Sequence, residues 1–361
     1  MTGIVTLGVV LQHWLEDAYF REQFNARIKN SIIREVSIFR DTSKAAIKIS
    51  EVRYFSDEMR RLRPDITIAV DHEGGCVQRL RGDGFTELPQ PDALRRLYAQ
   101  GHRKQATRLA YVCGLITAYE LRKAGITVLY GPVFDTYNPE SAVIGKKGRS
   151  YGNPPQSTTL LRHYLRGING SLYSIAKHFP DHGQVIQDTH LEPARDTRKL
   201  DTICAQSLPP YQGLHYDGLM IPHVIYSAVD ELPATLSKKT IQLFIAKLAK
   251  GATLPLFSDA LEMDALKRIA PTMNERVYRC LESGCDAMLY CGGGGKLEAD
   301  YFVKLEHLLT FLAEKKHTEL EFLRRYQDAE HKLKRLSDRH LNQPPSFKLY
   351  SLAQYVITEK I

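Results

Sequence analysis

Three short segments of the chain concentrate the residue types that perform nucleophile, acid and base chemistry. In TLPLFSDALEM (253–263) an apolar run ends at Ser258 and Asp259, and a carboxylate held still at such an end can attack an electrophilic carbon, such as a sugar anomeric carbon. In SIAKHFPDHGQVIQDTH (174–190), Lys177 and His178 leave an apolar run together, and Asp188 and His190 follow two residues apart. Residues i and i+2 of an extended or looped backbone point the same way, so the Asp188 carboxylate can orient the His190 imidazole as a proton shuttle. In IAVDHEGGCVQRL (68–80), Asp71 closes an apolar run and is placed to accept hydrogen bonds from ligand hydroxyls, while Gly74 and Gly75 let the backbone turn beneath a ligand. Each segment has a plainer reading: an Asx turn at Asp71, loop structure around the histidines, and capping of a helix starting near Leu261 by Ser258 or Asp259. His178 and His182 stand at a metal-ligating i, i+4 spacing, but Pro180 between them disfavours the helix that would align them, so no metal is expected. No cofactor is expected either. The glycines from Gly292 lead to Lys296 without the Ser or Thr of a phosphate loop, and they read as the flexible connection after a last strand.

The elements that must position these residues follow from the apolar pattern. Eight β-type runs recur at 5–10, 36–39, 66–70, 128–130, 174–176, 218–221, 254–257 and 287–290. Helix-like stretches lie between most of them, at 43–63, 106–124, 156–166, 202–215, 238–249 and 261–269. Alternating strands and helices imply parallel pairing, and eight units imply a closed (β/α)8 barrel of the TIM type. Asp71, Asp135, Lys177, His178, His223 and Asp259 then all fall at the C-terminal rim of the strands, where barrel enzymes place their chemistry. The chain of 361 residues reads as one catalytic domain, with amphipathic helices around 300–340 packed on the barrel.

Composition narrows the class. A net charge of +8 comes from scattered Lys and Arg that concentrate mainly in the stretch 315–339, without aromatic interleaving, so it reads as a solvated helix face rather than a nucleic-acid surface. The six cysteines form no C-x-x-C pair, which fits a reduced cytoplasm. The run 4–11 lacks the flanks of a signal peptide, and no apolar stretch is long enough to span a membrane. The expectation is a cytoplasmic monomer that takes a small substrate, without nucleic-acid or membrane partners.

Taken in order, VDHEGGxVQR, RSYG (149–152), KHFPxHG, DTH, IPHVIY, FSDALEM and GCDAMLYC resemble the single-domain β-N-acetylglucosaminidases of glycoside hydrolase family 3, of the NagZ type that works in bacterial peptidoglycan recycling. The resemblance covers roughly 66–291. It implies Asp259 as nucleophile of a retaining, double-displacement hydrolysis, His190 as acid/base and Asp188 as its partner. It also implies that Asp71, Arg79, Arg149, Lys177 and His178 bind a non-reducing N-acetylglucosamine of a short glycan or muropeptide. The chain departs from the pattern at Cys76, where Arg is common, at Asp181, where KHFPGHG has Gly, and at Asn153 and Pro154 after RSYG, where an acidic pair is usual. Asp181 adds a charge beside the catalytic loop, so a changed loop path or ligand is expected from it. The segment from Asp181 to His190 is expected to be the most mobile part of the site. Two other functions fit the same residues: a hexosaminide phosphorylase, since a histidine acid/base leaves room for phosphate, and a catalytically silent sugar-binding protein.

Overall fold

The computed structural model describes residues 3–44, 46–188, 193–249, 251–292 and 300–360. All eight apolar runs are strands: β1 (Val5–Val10), β2 (Ile33–Phe39), β3 (Thr67–Val70), β4 (Val128–Val133), β5 (Tyr173–Lys177), β6 (Gly218–Ile221), β7 (Leu256–Ala260) and β8 (Ala287–Tyr290). Each pairs in parallel with the next, and β8 closes onto β1, so strand order around the barrel is the order in the chain. Parallel neighbours need a crossover, and helices supply it. They are Ala18–Ile28, Ile49–Leu62, Arg103–Lys123, Gln156–Ile168, Leu200–Ser207, Lys238–Ile245 and Met273–Ser283, and an eighth helix, Tyr301–Thr318, follows β8.

Several boundaries differ from the sequence-based expectation, each for a physical reason. Strand β2 begins at Ile33 rather than Val36, because Arg34 and Glu35 point into a polar barrel interior instead of ending the run. Glu35 accepts hydrogen bonds from Thr6 (3.1 Å), Thr67 (2.7 Å), Arg34 (2.9 Å) and the Tyr130 hydroxyl, so its burial is fully compensated. The helix expected at 202–215 is cut into Leu200–Ser207 and Pro209–Gly213, since Pro209 and Pro210 cannot continue it. The helix expected at 261–269 is absent. A 3-10 turn, Asp264–Leu266, stands there, and the helix after β7 starts at Met273, capped by the Thr272 side chain on the Glu275 amide. Ser258 and Asp259 therefore cap no helix; the Ser258 hydroxyl accepts from the Leu289 amide at 3.0 Å and ties β7 to β8.

Beyond the barrel, Tyr301–Thr318 and Leu320–Ser337 share its apolar core through Leu305, Leu312, Tyr326 and Leu333. A last helix, Phe347–Lys360, lies against Arg103–Lys123, with Tyr350 stacked on Tyr119 at 4.0 Å and its hydroxyl on Glu120 at 2.9 Å. No helix among the described residues is long and apolar enough to cross a membrane. The glycine-rich stretch from 293 through Lys296 lies outside the described residues.

Candidate active site

At the C-terminal rim, a cavity of about 600 Å³ is lined by Asp71, Arg79, Arg149, Lys177, His178 and Asp259, six of the eight residues to which the motif resemblance assigns a role. Of the other two, Asp188 stands beside the cavity, its Oδ2 3.9 Å from Nζ of Lys147, a lining residue. His190 lies outside the described residues, as does the end of the segment expected to be most mobile.

The floor is built at the ends of β3 and β5. After β3 the chain turns back in a small ribbon, His72–Gly74 against Val77–Gln78, with Gly74 at φ +93 and Gly75 at φ +57, conformations that a residue with a Cβ rarely adopts. This turn sets Asp71 and Glu73 on either side of the Lys177 ammonium, at 2.6 and 2.7 Å. Glu73 also holds Arg149 through two hydrogen bonds of 2.8 Å. Burial works against the charge of Glu73, but Arg149 and Lys177 outweigh it and hold the carboxyl well below its usual range. Lys177, likewise buried, is raised by Asp71 and Glu73, and Arg149 is raised mainly by Glu73. Arg79 completes the row, its Nε 3.8 Å from Asp71 and its guanidinium 5.3 Å from the Phe39 ring. Among the described residues two of the three ammonium donors of Lys177 are thus engaged, which leaves one for a ligand.

His178 leads from the floor to the strand-end carboxylate of Asp259. Its Nδ1 is 2.6 Å from Oδ2 of Asp135, whose Oδ1 accepts the backbone amides of His178 (3.2 Å) and His182 (2.6 Å). Burial raises Asp135, yet His178 and its neighbours prevail and the carboxyl stays below its ordinary value. An acceptor at Nδ1 keeps the proton there and turns Nε2 toward Asp259, 3.9 Å from its Oδ2. Asp259 is at the end of β7 with Oδ1 on the Ala260 amide at 2.8 Å. Behind it, the buried His223 donates from Nε2 to the Ala260 carbonyl at 2.8 Å, so this rim histidine braces the strand end rather than facing the cavity. His182 is buried beside His178, ring to ring at 5.6 Å, and burial, then His178, pushes it down to about 4. Among the described residues no group of three or more His, Cys, Asp or Glu is arranged to hold a metal.

Glu73 and the supporting role of Asp135 escaped the sequence reading. Glu262 accepts the Gly292 amide and lines the cavity beside Asp259. The departures from the family motif resolve differently. Cys76 is exposed at the cavity mouth, its thiol on the Lys147 carbonyl at 3.2 Å. Asp181 does not line the cavity; it is buried and faces Thr136, Ser207 and Arg198. Asn153 accepts the Tyr137 amide at 2.9 Å, in the loop after β4.

Residues 8–319 match the family model described as the glycosyl hydrolase family 3 N terminal domain. A beta-hexosaminidase of Nitrosospira multiformis is 36% identical over 296 residues, covering 80% of this chain and 81% of that one. One from Methylobacillus flagellatus is 31% identical over 299 residues, with 81% and 83% covered. Among solved structures, NagZ from Neisseria gonorrhoeae in complex with N-trifluoroacetyl-D-glucosamine superposes with a TM-score of 0.69 at 26% identity, over 92% of this chain and 98% of that one. A family 3 beta-N-acetylglucosaminidase from Paenibacillus gives a TM-score of 0.77 at 24% identity, covering 97% of this chain and 66% of that one, a likeness of fold. With its barrel, its rim cavity and these relatives, the chain belongs to glycoside hydrolase family 3 and is a glycosidase of its β-hexosaminidase group.

Proposed function

We propose that the protein removes a terminal β-linked N-acetylglucosamine from short glycans or muropeptides with retention of configuration. The observation that carries this reading is the meeting, in one cavity, of a strand-end carboxylate, Asp259, with the hydrogen-bonding row of Asp71, Lys177, Arg149 and His178. Asp71 and the remaining Lys177 donor bind sugar hydroxyls, Arg79 and Arg149 flank them, and His178 holds the ring near Asp259. Asp259 attacks the anomeric carbon while the bond to the leaving oxygen breaks, and His190 gives that oxygen its proton. His190, now neutral, takes a proton from water; the hydroxide so formed attacks the anomeric carbon and frees the Asp259 carboxylate. Asp188 orients the imidazole and favours its protonated form. The likeness to a NagZ in complex with N-trifluoroacetyl-D-glucosamine supports the choice of an N-acylated sugar; a role in peptidoglycan recycling in the cytoplasm is what the motif resemblance implies. We read the chain as a monomer that needs no cofactor.

The test is 4-nitrophenyl N-acetyl-β-glucosaminide with and without phosphate, followed by proton NMR of the first sugar released. Expected are nitrophenol release independent of phosphate and N-acetylglucosamine that appears first as the β-anomer. A sugar phosphate as product assigns phosphorolysis instead, the α-anomer removes retention, and tight sugar binding without turnover identifies a silent binding protein.

A further inference from the structure

We propose that Asp181 and Arg198 form a positioning clamp that fastens the two ends of the segment carrying Asp188 and His190, and so governs delivery of the proton to the leaving group. The proposal rests on the reading of His190 as acid/base.

The segment leaves the end of β5 past Asp181 and returns as the short strand Ala194–Asp196, which pairs with Val224–Tyr226. At the departing end, the Asp181 carboxylate is 1% exposed and accepts five hydrogen bonds. They come from the Thr136 amide (3.0 Å) and hydroxyl (2.6 Å), the Gly183 amide (2.9 Å), the Ser207 hydroxyl (2.7 Å) and Arg198 Nη2 (2.9 Å). At the returning end, Arg198 Nη2 is 2.5 Å from Asp196 Oδ2, and its Nε is 3.0 Å from both Asp196 oxygens. One guanidinium therefore holds the residue where the segment starts and the residue where it ends, a task suited to the planar, always charged fork of arginine. The Tyr226 hydroxyl adds a bond to the Asp181 carbonyl at 2.5 Å from the strand beside the returning end.

The clamp is also joined to the site. Thr136, which gives two bonds to Asp181, follows Asp135, the residue that orients His178. Gly183 is pressed so closely on this loop that a Cβ there would stand 1.8 Å from the Thr136 carbonyl oxygen. The stem is thus fixed at a set distance from the His178 ring, and fixed ends shrink the space that a loop can sample. Asp181 is also where the chain departs from KHFPGHG, the motif that it otherwise resembles here.

Arg198→Met tests it with two substrates, 4-nitrophenyl N-acetyl-β-glucosaminide, whose leaving group departs without a proton, and N,N′-diacetylchitobiose, whose leaving sugar needs one. The expected result is a fall in kcat/KM of about 10- to 100-fold on chitobiose and less than about 3-fold on the aryl glycoside, since displacing a general acid costs only the substrate that needs it. Asp181→Asn preserves the side-chain volume, removes the charge, and gives the second reading if Arg198→Met does not fold. Equal losses on both substrates, or none on either, overturn the clamp. His190→Ala run alongside separates the two ideas: if it is selective for chitobiose and the clamp variants are not, only the clamp falls; if it is not selective, the acid/base reading falls first and the clamp with it.

Discussion

Lys177 sits between two carboxylates and Glu73 between two cations, so no member of the floor can be neutralised without stranding a buried partner. Glu73→Gln leaves Arg149 and Lys177 with one acid, Asp71, for two cations, and breaking a buried pair in this way typically costs about 3–5 kcal/mol. We expect a lower Tm by calorimetry and a raised KM, with kcat less affected because Glu73 is paired with Arg149 and Lys177 rather than with Asp259; an unchanged Tm would show that the floor carries no such debt. At the reacting end, Asp259→Ala is expected to abolish turnover of every substrate, whereas His190→Ala should spare glycosylation by an aryl glycoside and lose about 10²- to 10⁴-fold on an unactivated sugar. The intermediate should then accumulate, and a sugar found by mass spectrometry on a peptide bearing Glu262 rather than Asp259 would reassign the nucleophile. Asp71, Lys177, His178 and Asp259 were legible because each directly ends an apolar run. Glu73 was not, and Asp135 was placed at the rim without its role, because their meaning lies with partners 76 and 43 residues away, Arg149 and His178.

For the elements, short apolar runs located all eight strands, and errors arose where packing overrode local pattern. The stretch 261–269 has helical periodicity, yet Leu261 and Leu266 are buried in a turn, and Pro271 stops the segment before a helix can lengthen. Strand β2 starts early because its first polar residues satisfy one another inside the barrel, which a rule of apolar runs cannot anticipate. The segment after β5 gives an element-scale prediction. Gly183→Ala puts a methyl group against the Thr136 backbone, so the stem must move away from the loop after β4 while the barrel stays intact. Expected is a native-like circular dichroism spectrum with about tenfold lower kcat/KM on chitobiose; full activity would show that the stem tolerates displacement.

Barrel closure was readable from the alternation of strands and helices alone, but the chain's response to pH depends on burial that only the fold creates. His72 is fully buried and pushed down to about 3, chiefly by burial and then by Arg81, and His182 is pushed down to about 4. The unfolded chain protonates both near pH ~6.5, so their contribution to stability is complete above that pH and is lost as pH falls toward about 4. Glu73, held low, adds a further loss below about pH 4.5, while Asp181 and Asp286, raised by burial, act with the opposite sign. Tm should therefore fall from pH 7 to pH 5, and His72→Gln should flatten part of that slope; a Tm constant over this range would exclude the buried histidines as its cause. The cysteines are distributed just as unevenly. Of six, Cys76 alone is exposed, Cys204 is partly covered and the others are buried. A maleimide dye should attach there first, giving one adduct per chain by intact mass, and every attached dye would stand at the cavity mouth beside Lys147. The protein thus carries a natural anchorage for an optical reporter, through which the arrival and departure of a sugar can be followed in real time without introducing any new residue.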